Sequence, residues 1–134
     1  MDGATELIVD LNRAGARLAI GSFGPPANVR AVLNVLPGGK YFQVTTSSED
    51  VAHGKPAPDV FLIAAGKLEL PPGRCVVVED APVGVQAGKA ANCAVVGITG
   101  TVSAERLCEA DLVVTSLREL SPDILKHLLR QTGF

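Results

Sequence analysis

The sequence predicts an α/β fold, a three-layer Rossmann-like sandwich in which helices cover both faces of a parallel sheet. Short apolar runs rich in β-branched residues alternate with segments whose apolar residues recur at helical spacing. The strand-like runs are continuously apolar, which is typical of strands buried on both faces. The length of 134 residues matches one domain. We therefore treat residues 1–134 as a single domain.

Each element of this fold follows from local patterns. Short apolar runs bounded by turn-forming residues predict five strands, at 17–22, 41–46, 75–80, 93–98 and 111–116. Apolar residues at helical spacing predict six helices, at 5–15, 25–36, 57–70, 81–91, 103–110 and 121–131. Gly15 is expected to end the first helix, and Ser121 to cap the last with Pro122 at its first position.

Composition and charge exclude several classes of protein. The net charge of −2 favours neither nucleic acid nor an anionic membrane as a partner. The first twenty residues contain three acidic residues, unlike a signal peptide, and no apolar run approaches the length of a membrane span. The three cysteines are widely spaced and form no metal or disulfide pattern, so we expect buried free thiols in a reducing compartment. A cytoplasmic protein is therefore predicted.

Polar residues at the predicted strand ends are the candidates for function, because ligands of such folds bind beyond the carboxyl ends of the strands. Ser22 and the backbone N–H groups after it precede a helix that starts at two prolines, an arrangement that suits an anion. Capping of a turn by Ser22 is an equal alternative. Lys55 stands in a stiff loop between Gly54 and Pro56, although a lone lysine is more often solvated at the surface.

The adjacent carboxylates Glu79 and Asp80 end the third strand. Two such groups repel each other and lose hydration there, so a compensating cation is expected, and oxygen ligands select Mg²⁺. The alternative is a capping Asp80 beside a solvated Glu79. Gly84 and Gly88 would let the following helix approach the sheet closely.

Three further polar residues receive structural interpretations. Asp59 is expected to stabilise the first turn of a helix. His53 neighbours the lysine loop and is interpreted as a turn residue, with a site-lining role as the alternative. His127 is expected on the surface of the terminal helix.

A hydroxyl, a lysine and an acidic pair in this order can hold a phosphoryl group and the magnesium that neutralises it. At this point the chain resembles the haloacid dehalogenase-like hydrolase superfamily, in its β-phosphoglucomutase-like and phosphoglycolate-phosphatase-like branch. The segment "LAIGS" is similar to the second motif of the family, "GKPAPDVF" to the third and "VVVEDAPVGVQAGKAA" to the fourth. The resemblance runs from about residue 5 to residue 120.

The resemblance implies roles for these residues. Ser22 and the backbone N–H of Phe23 would hold the phosphate, and Lys55 would balance charge on the phosphoryl group and the nucleophile. Asp80 would bind Mg²⁺ directly, with Glu79 as a second ligand or through water. The substrate would be a small phosphorylated metabolite. Phe23 departs from the family pattern, which often has a small polar residue there.

The family's first motif, Asp-x-Asp, supplies the nucleophile and the general acid/base, and it occurs nowhere in this sequence. Asp10, with Asn12 two residues later, lies in a predicted helix and is a poor substitute. The resemblance therefore implies a partial core, lacking the usual first central strand and the cap domain. We expect the flanking strands to close on each other, or a segment of another chain to fill the gap through self-association.

The residues and the resemblance leave three candidate functions. The leading one is a Mg²⁺-dependent phosphatase or phosphomutase core that works through an aspartyl-phosphate in the intact family and is inactive alone here. The second is a non-catalytic phosphate- or Mg²⁺-binding remnant, or half of a complementing assembly, and the missing Asp-x-Asp favours it. A phospho-receiver domain is disfavoured because its acidic pair would belong on the first strand.

Overall fold

The computed structural model describes residues 2–131, and there helices surround two small parallel sheets. The helices are α1 (Ala4–Arg13), α2 (Pro26–Val35), α3 (Asp59–Lys67), α4 (Pro82–Ala90) and α5 (Pro122–Gln131). The strands are β1 (Ala19–Gly21), β2 (Val44–Thr46), β3 (Val76–Glu79), β4 (Ala94–Ile98) and β5 (Leu112–Val114). Each predicted strand contains an observed one. The α/β class and the parallel pairing are confirmed.

The predicted helix over 103–110 is wrong beyond one turn. This segment forms a 3₁₀ helix, Ala104–Leu107, because the chain enters β5 at Leu112 and leaves little room for more. Leu107 is fully buried against Gly97 of the central strand, so tertiary packing decides the local structure. Two other sequence signals at helix ends are confirmed, although the helix predicted over 57–70 spans only Asp59–Lys67. Gly15 adopts a φ of +82° after α1, and the Ser121 hydroxyl accepts the Ile124 N–H at 3.2 Å.

The strands form two separate sheets. One pairs β1 with β2, and the other has the order β3-β4-β5, with β4 buried along its whole length. In the first sheet Ala19 lies opposite Val44, and in the second Val77 lies opposite Val95. Within residues 2–131, β1 and β3 do not pair. The alternative in which these two strands close on each other is therefore not the one adopted.

The edge of β1 that faces away from β2 lacks a strand partner within the described residues. The Gln43 N–H donates to the Leu18 carbonyl, and the Ser22 N–H donates to the Thr46 hydroxyl. Backbone groups of alternate residues point to opposite sides of a strand. The N–H and C=O groups of Ala19 therefore point away from β2.

The edge of β3 that faces away from β4 also lacks a strand partner within the described residues. The Ala94 N–H donates to the Cys75 carbonyl, so the backbone groups of Val77 also point towards β4. Those of Val76 and Val78 point away from it, and no strand among residues 2–131 pairs with that edge. The Val78 side chain is 40% exposed, in contrast to the buried Val77.

Helices join the two sheets on both faces. On one face α1 contacts α5 and two 3₁₀ helices, Gly39–Tyr41 before β2 and Leu117–Glu119 after β5. On the other face α3 contacts β1, β2 and α4. Its Phe61 ring lies against Gly21 and also packs on the apolar cluster that contains Val77. The Phe61 ring of α3 thus touches both sheets.

None of the helices described between residues 2 and 131 has the length and apolar character needed to cross a bilayer. All three cysteines are free, but the expected burial holds only for Cys93, since Cys75 is half-buried and Cys108 is exposed. Burial raises the pKa of the Cys93 thiol to about 11, so this thiol stays protonated and unreactive at neutral pH.

The unpaired edge of β3 gives a prediction for proline substitution. Val78→Pro removes an N–H that no strand accepts, so it should lower the free energy of unfolding only slightly, because proline is tolerated on edge strands. Val77→Pro, its matched control one residue away, removes a ladder hydrogen bond and should cost about 1–3 kcal/mol more, because a buried acceptor loses its donor. Urea unfolding measures both. Equal destabilisation by the two prolines would contradict the open edge.

Candidate functional site

The loop after β1 places Ser22 at the carboxyl edge of the first sheet. The Ser22 hydroxyl accepts the Gly24 N–H at 2.9 Å, so it caps the turn that leads towards α2. The Ser22 N–H donates to the hydroxyl of Thr46 at 3.3 Å, and that fully buried threonine donates to the Ile20 carbonyl. The turn-capping alternative is thus realised. A phosphate-binding role for the same hydroxyl stays a prediction.

Phe23 joins this turn to the lysine loop. Its side chain is 45% exposed, and its ring lies against Gly54, where a Cβ would come within 3.0 Å of the ring carbon Cδ1. Glycine at position 54 therefore permits close contact between the two loops. Because Lys55 is the next residue, this contact brings the Ser22 turn beside the lysine.

Lys55 makes the central contact of the site. Its Nζ donates to Oε1 of Glu79 at 2.5 Å, and it lies 5.1 Å from the centroid of the Phe61 ring. The Lys55 and Glu79 side chains are 22% and 12% exposed, so water screens this ion pair only partly. Lys55 is consequently not the solvated surface lysine of the alternative interpretation.

Asp59 holds the lysine loop in place. It is the first residue of α3, as expected, but its Oδ2 also accepts the His53 backbone N–H and lies 3.2 Å from His53 Nδ1. These contacts close the segment between the two residues, which includes Lys55. Helical spacing alone did not predict them. The His53 ring is 76% exposed, which agrees with a turn residue.

Glycines in α4 determine where Glu79 lies. A Cβ at Gly84 would occupy the space taken by the Glu79 carboxylate, and one at Gly88 would come within 2.7 Å of Val95 Cγ2. The first turn of α4 therefore lies directly against Glu79. The expected close approach of this helix to the sheet is confirmed.

Asp80 has a different partner from its neighbour. Its Oδ2 accepts a hydrogen bond from the Thr101 hydroxyl at 3.0 Å, and the residue is half-buried. Thr101 was missed in the sequence because it follows the fourth strand in an otherwise unremarkable turn. The acidic pair thus divides its contacts between an ammonium group and a hydroxyl.

The acidic pair alone does not make a complete metal site. Across residues 2–131, no three His, Cys, Asp or Glu side chains converge to hold a metal ion. Mg²⁺, however, usually keeps several waters and binds through one or two carboxylates together with substrate phosphates. The carboxylates of Glu79 and Asp80 fit such a partial ligand set. His127 lies exposed on α5 and takes no part.

The structure thus brings the candidate residues to one edge. Lys55 and Glu79 touch, Asp80 is adjacent, and the Phe23 ring links the Ser22 turn to the same loop. A hydroxyl, an ammonium group and carboxylates can together bind an anion and a divalent cation. A nucleophilic Asp-x-Asp motif is absent from the sequence.

Comparison with known proteins identifies relatives of this chain. A family model described as haloacid dehalogenase-like hydrolase matches residues 1–92. Hexitol phosphatase A of Escherichia coli strain K12 is 42% identical over 123 residues, covering 90% of this chain and 56% of the relative. The chain thus spans about half the length of the curated relatives it matches.

Solved structures show the same similarity. The β-phosphoglucomutase of Clostridium difficile superposes with a TM-score of 0.85 at 27% identity, covering 96% of this chain and 56% of the other. CbbY of Rhodobacter sphaeroides, crystallised in complex with phosphate, gives a TM-score of 0.81 at 32% identity, with coverages of 89% and 55%.

The partial burial of the ion pair predicts an unequal effect of two lysine substitutions. Lys55→Met should destabilise the fold by about 1–3 kcal/mol, because the Glu79 carboxylate loses its partner in a poorly hydrated position. Lys67→Met is the control, since the Lys67 ammonium, which pairs with Asp50 and donates to the Thr45 carbonyl, is more exposed and should contribute less than about 1 kcal/mol. Chemical denaturation measures both. A Lys55→Met variant as stable as the control would show that the pair is effectively solvated.

Proposed function

The chain belongs to the haloacid dehalogenase-like hydrolases, and from this premise we propose that it is the phosphoryl-binding core of a Mg²⁺-dependent phosphatase or phosphomutase. The observation that carries the proposal is the contact of Lys55 with Glu79, beside Asp80 and the Ser22 turn. The names of the relatives support a small phosphorylated metabolite as substrate. We place this function in the cytoplasm, which agrees with the free thiols.

Each residue of the site has a proposed role. The Ser22 hydroxyl and the Phe23 N–H hold the phosphate oxygens, and the Lys55 ammonium balances their charge. Asp80 binds Mg²⁺, with Glu79 as the second acidic ligand. Bound Mg²⁺ would withdraw negative charge from the phosphoryl oxygens.

Transfer through an aspartyl-phosphate also needs a nucleophilic carboxylate, and the 134 residues contain no Asp-x-Asp motif to provide it. Asp10 does not replace it, because it lies within helix α1. We therefore propose that this sequence binds the phosphoryl group and the metal but does not turn over a substrate without additional polypeptide.

A second candidate is a non-catalytic phosphate- or Mg²⁺-binding module, or half of a complementing assembly. The gap between β1 and β3 favours it, because their facing edges leave backbone groups that an added strand would satisfy. Self-association would require a second copy to supply that strand. All five strands within residues 2–131 are already paired, so a strand from other polypeptide fits the gap better.

The proposed metal site predicts the effect of removing one carboxylate. Asp80→Asn should weaken Mg²⁺ binding about tenfold or more, as measured by amide NMR shifts of the residues around Asp80 and Thr101. Asp123→Asn, in the first turn of α5, removes the same charge elsewhere and should leave the affinity unchanged. Equal Mg²⁺ binding by the wild type and both variants would refute the metal assignment.

The missing nucleophile predicts the outcome of an activity assay. The purified chain should hydrolyse p-nitrophenyl phosphate with Mg²⁺ no faster than its Asp80→Asn variant, which controls for contaminating phosphatase. Turnover that the wild type shows and the variant lacks would mean that a nucleophile lies among these residues. The second candidate function would then be eliminated.

A further inference from the structure

The side chain proposed to bind phosphate and one of those proposed to bind Mg²⁺ are paired with each other. The Lys55 ammonium, assigned to phosphate, donates to the carboxylate of Glu79, assigned to Mg²⁺. We propose that this ion pair is a mutual mask, so that Mg²⁺ releases Lys55 for phosphate and phosphate releases Glu79 for Mg²⁺. This inference rests on the proposed function and specifies how the same site is regulated.

The two uses of Glu79 exclude each other for electrostatic reasons. A divalent cation on this carboxylate would lie within a few ångströms of the Lys55 ammonium, and like charges repel strongly where water screens them poorly. With side chains only 22% and 12% exposed, the pair lies in such a place. Bound Mg²⁺ therefore displaces the ammonium group.

Lys55 is the partner that can move. The Glu79 carboxylate lies against Gly84 in the first turn of α4, whereas the lysine has a long flexible stem beside the Phe61 ring. The backbone of the lysine loop can stay fixed, since Asp59 holds it through His53. The Ser22 turn lies next to that loop through the Phe23 ring, so a side-chain rotation brings the freed ammonium towards the phosphate position.

The mask has a thermodynamic consequence. If one ligand raises the affinity of the other, the second must raise the affinity of the first by the same factor. Each ligand alone binds at a disadvantage because it must break the ion pair. The site therefore discriminates in favour of a phosphate ester that arrives with Mg²⁺ over either ion alone.

Chemical labelling of Lys55 tests the mask without requiring activity or phosphate. The chain is treated with a limiting amine-acetylating ester in EDTA or in Mg²⁺, and the rate at Lys55 is compared by mass spectrometry with that at Lys126, an exposed lysine of α5. Glu79→Gln should raise the relative rate about tenfold, the equivalent of 1.4 kcal/mol. Mg²⁺ should raise it in the wild type but not in that variant.

Asp80→Asn is the matched control for charge. It removes one negative charge from the adjacent residue but leaves the ion pair intact, so without metal its rate should stay within about twofold of the wild type. Equal acceleration by Glu79→Gln and Asp80→Asn, or a wild-type rate that Mg²⁺ does not change, would overturn the mask.

Binding of inorganic phosphate in EDTA separates this inference from the proposed function. Glu79→Gln should bind phosphate about tenfold more tightly than the wild type. The factor by which its phosphate affinity exceeds that of Asp80→Asn measures the contribution of the released lysine. Labelling that behaves as predicted, with no phosphate binding by any variant, would refute the proposed phosphate site but leave standing the release of Lys55 from Glu79 by Mg²⁺. Measurable phosphate binding of equal affinity in the wild type and Glu79→Gln would overturn the mask and leave the function intact.

Discussion

The ion pair between Lys55 and Glu79 is the contact on which the geometry of the site depends. Lys55 belongs to the loop between β2 and α3, and Glu79 ends β3, so the pair bridges two sheets that share no backbone hydrogen bonds between β1 and β3. It acts at the carboxyl edge, where ligands of α/β folds bind. The partial burial of both groups makes the loss of either partner more costly than in an exposed ion pair, and it couples the pair to anything that binds either group.

Close backbone approaches make this bridge possible. Gly54 allows the Phe23 ring to lie on the lysine loop, and Gly84 leaves room for the Glu79 carboxylate against α4. Gly21 does the same for the Phe61 ring, over which the Lys55 ammonium nitrogen lies. A side chain at any of these positions would move one of the interacting groups. The three glycines thereby determine where the charged groups of the site lie relative to each other.

Much of this arrangement could be predicted from the sequence. Short runs rich in β-branched residues and bounded by turn formers identified all five strands, although only β4 is buried along its whole length and β2 is Val-Thr-Thr. The polar residues after the strands identified the edge that carries the site. The partner of Glu79 could not be predicted, since Lys55 lies 24 residues away and the contact depends on tertiary packing. The same holds for the bond from Thr101 to Asp80. The helix predicted around Leu107 failed because burial and a short connection overrode helical periodicity.

The central claim is that Ser22, Lys55 and Asp80 form one site for a phosphoryl group and its metal. A crystal structure of the chain with Mg²⁺ and tungstate, a phosphate mimic that scatters strongly, tests it most directly. The account predicts tungstate at the Ser22 turn within reach of Lys55 Nζ, Mg²⁺ on Asp80, and a broken contact between Lys55 and Glu79. Tungstate bound elsewhere, with Lys55 still paired to Glu79, would contradict the account.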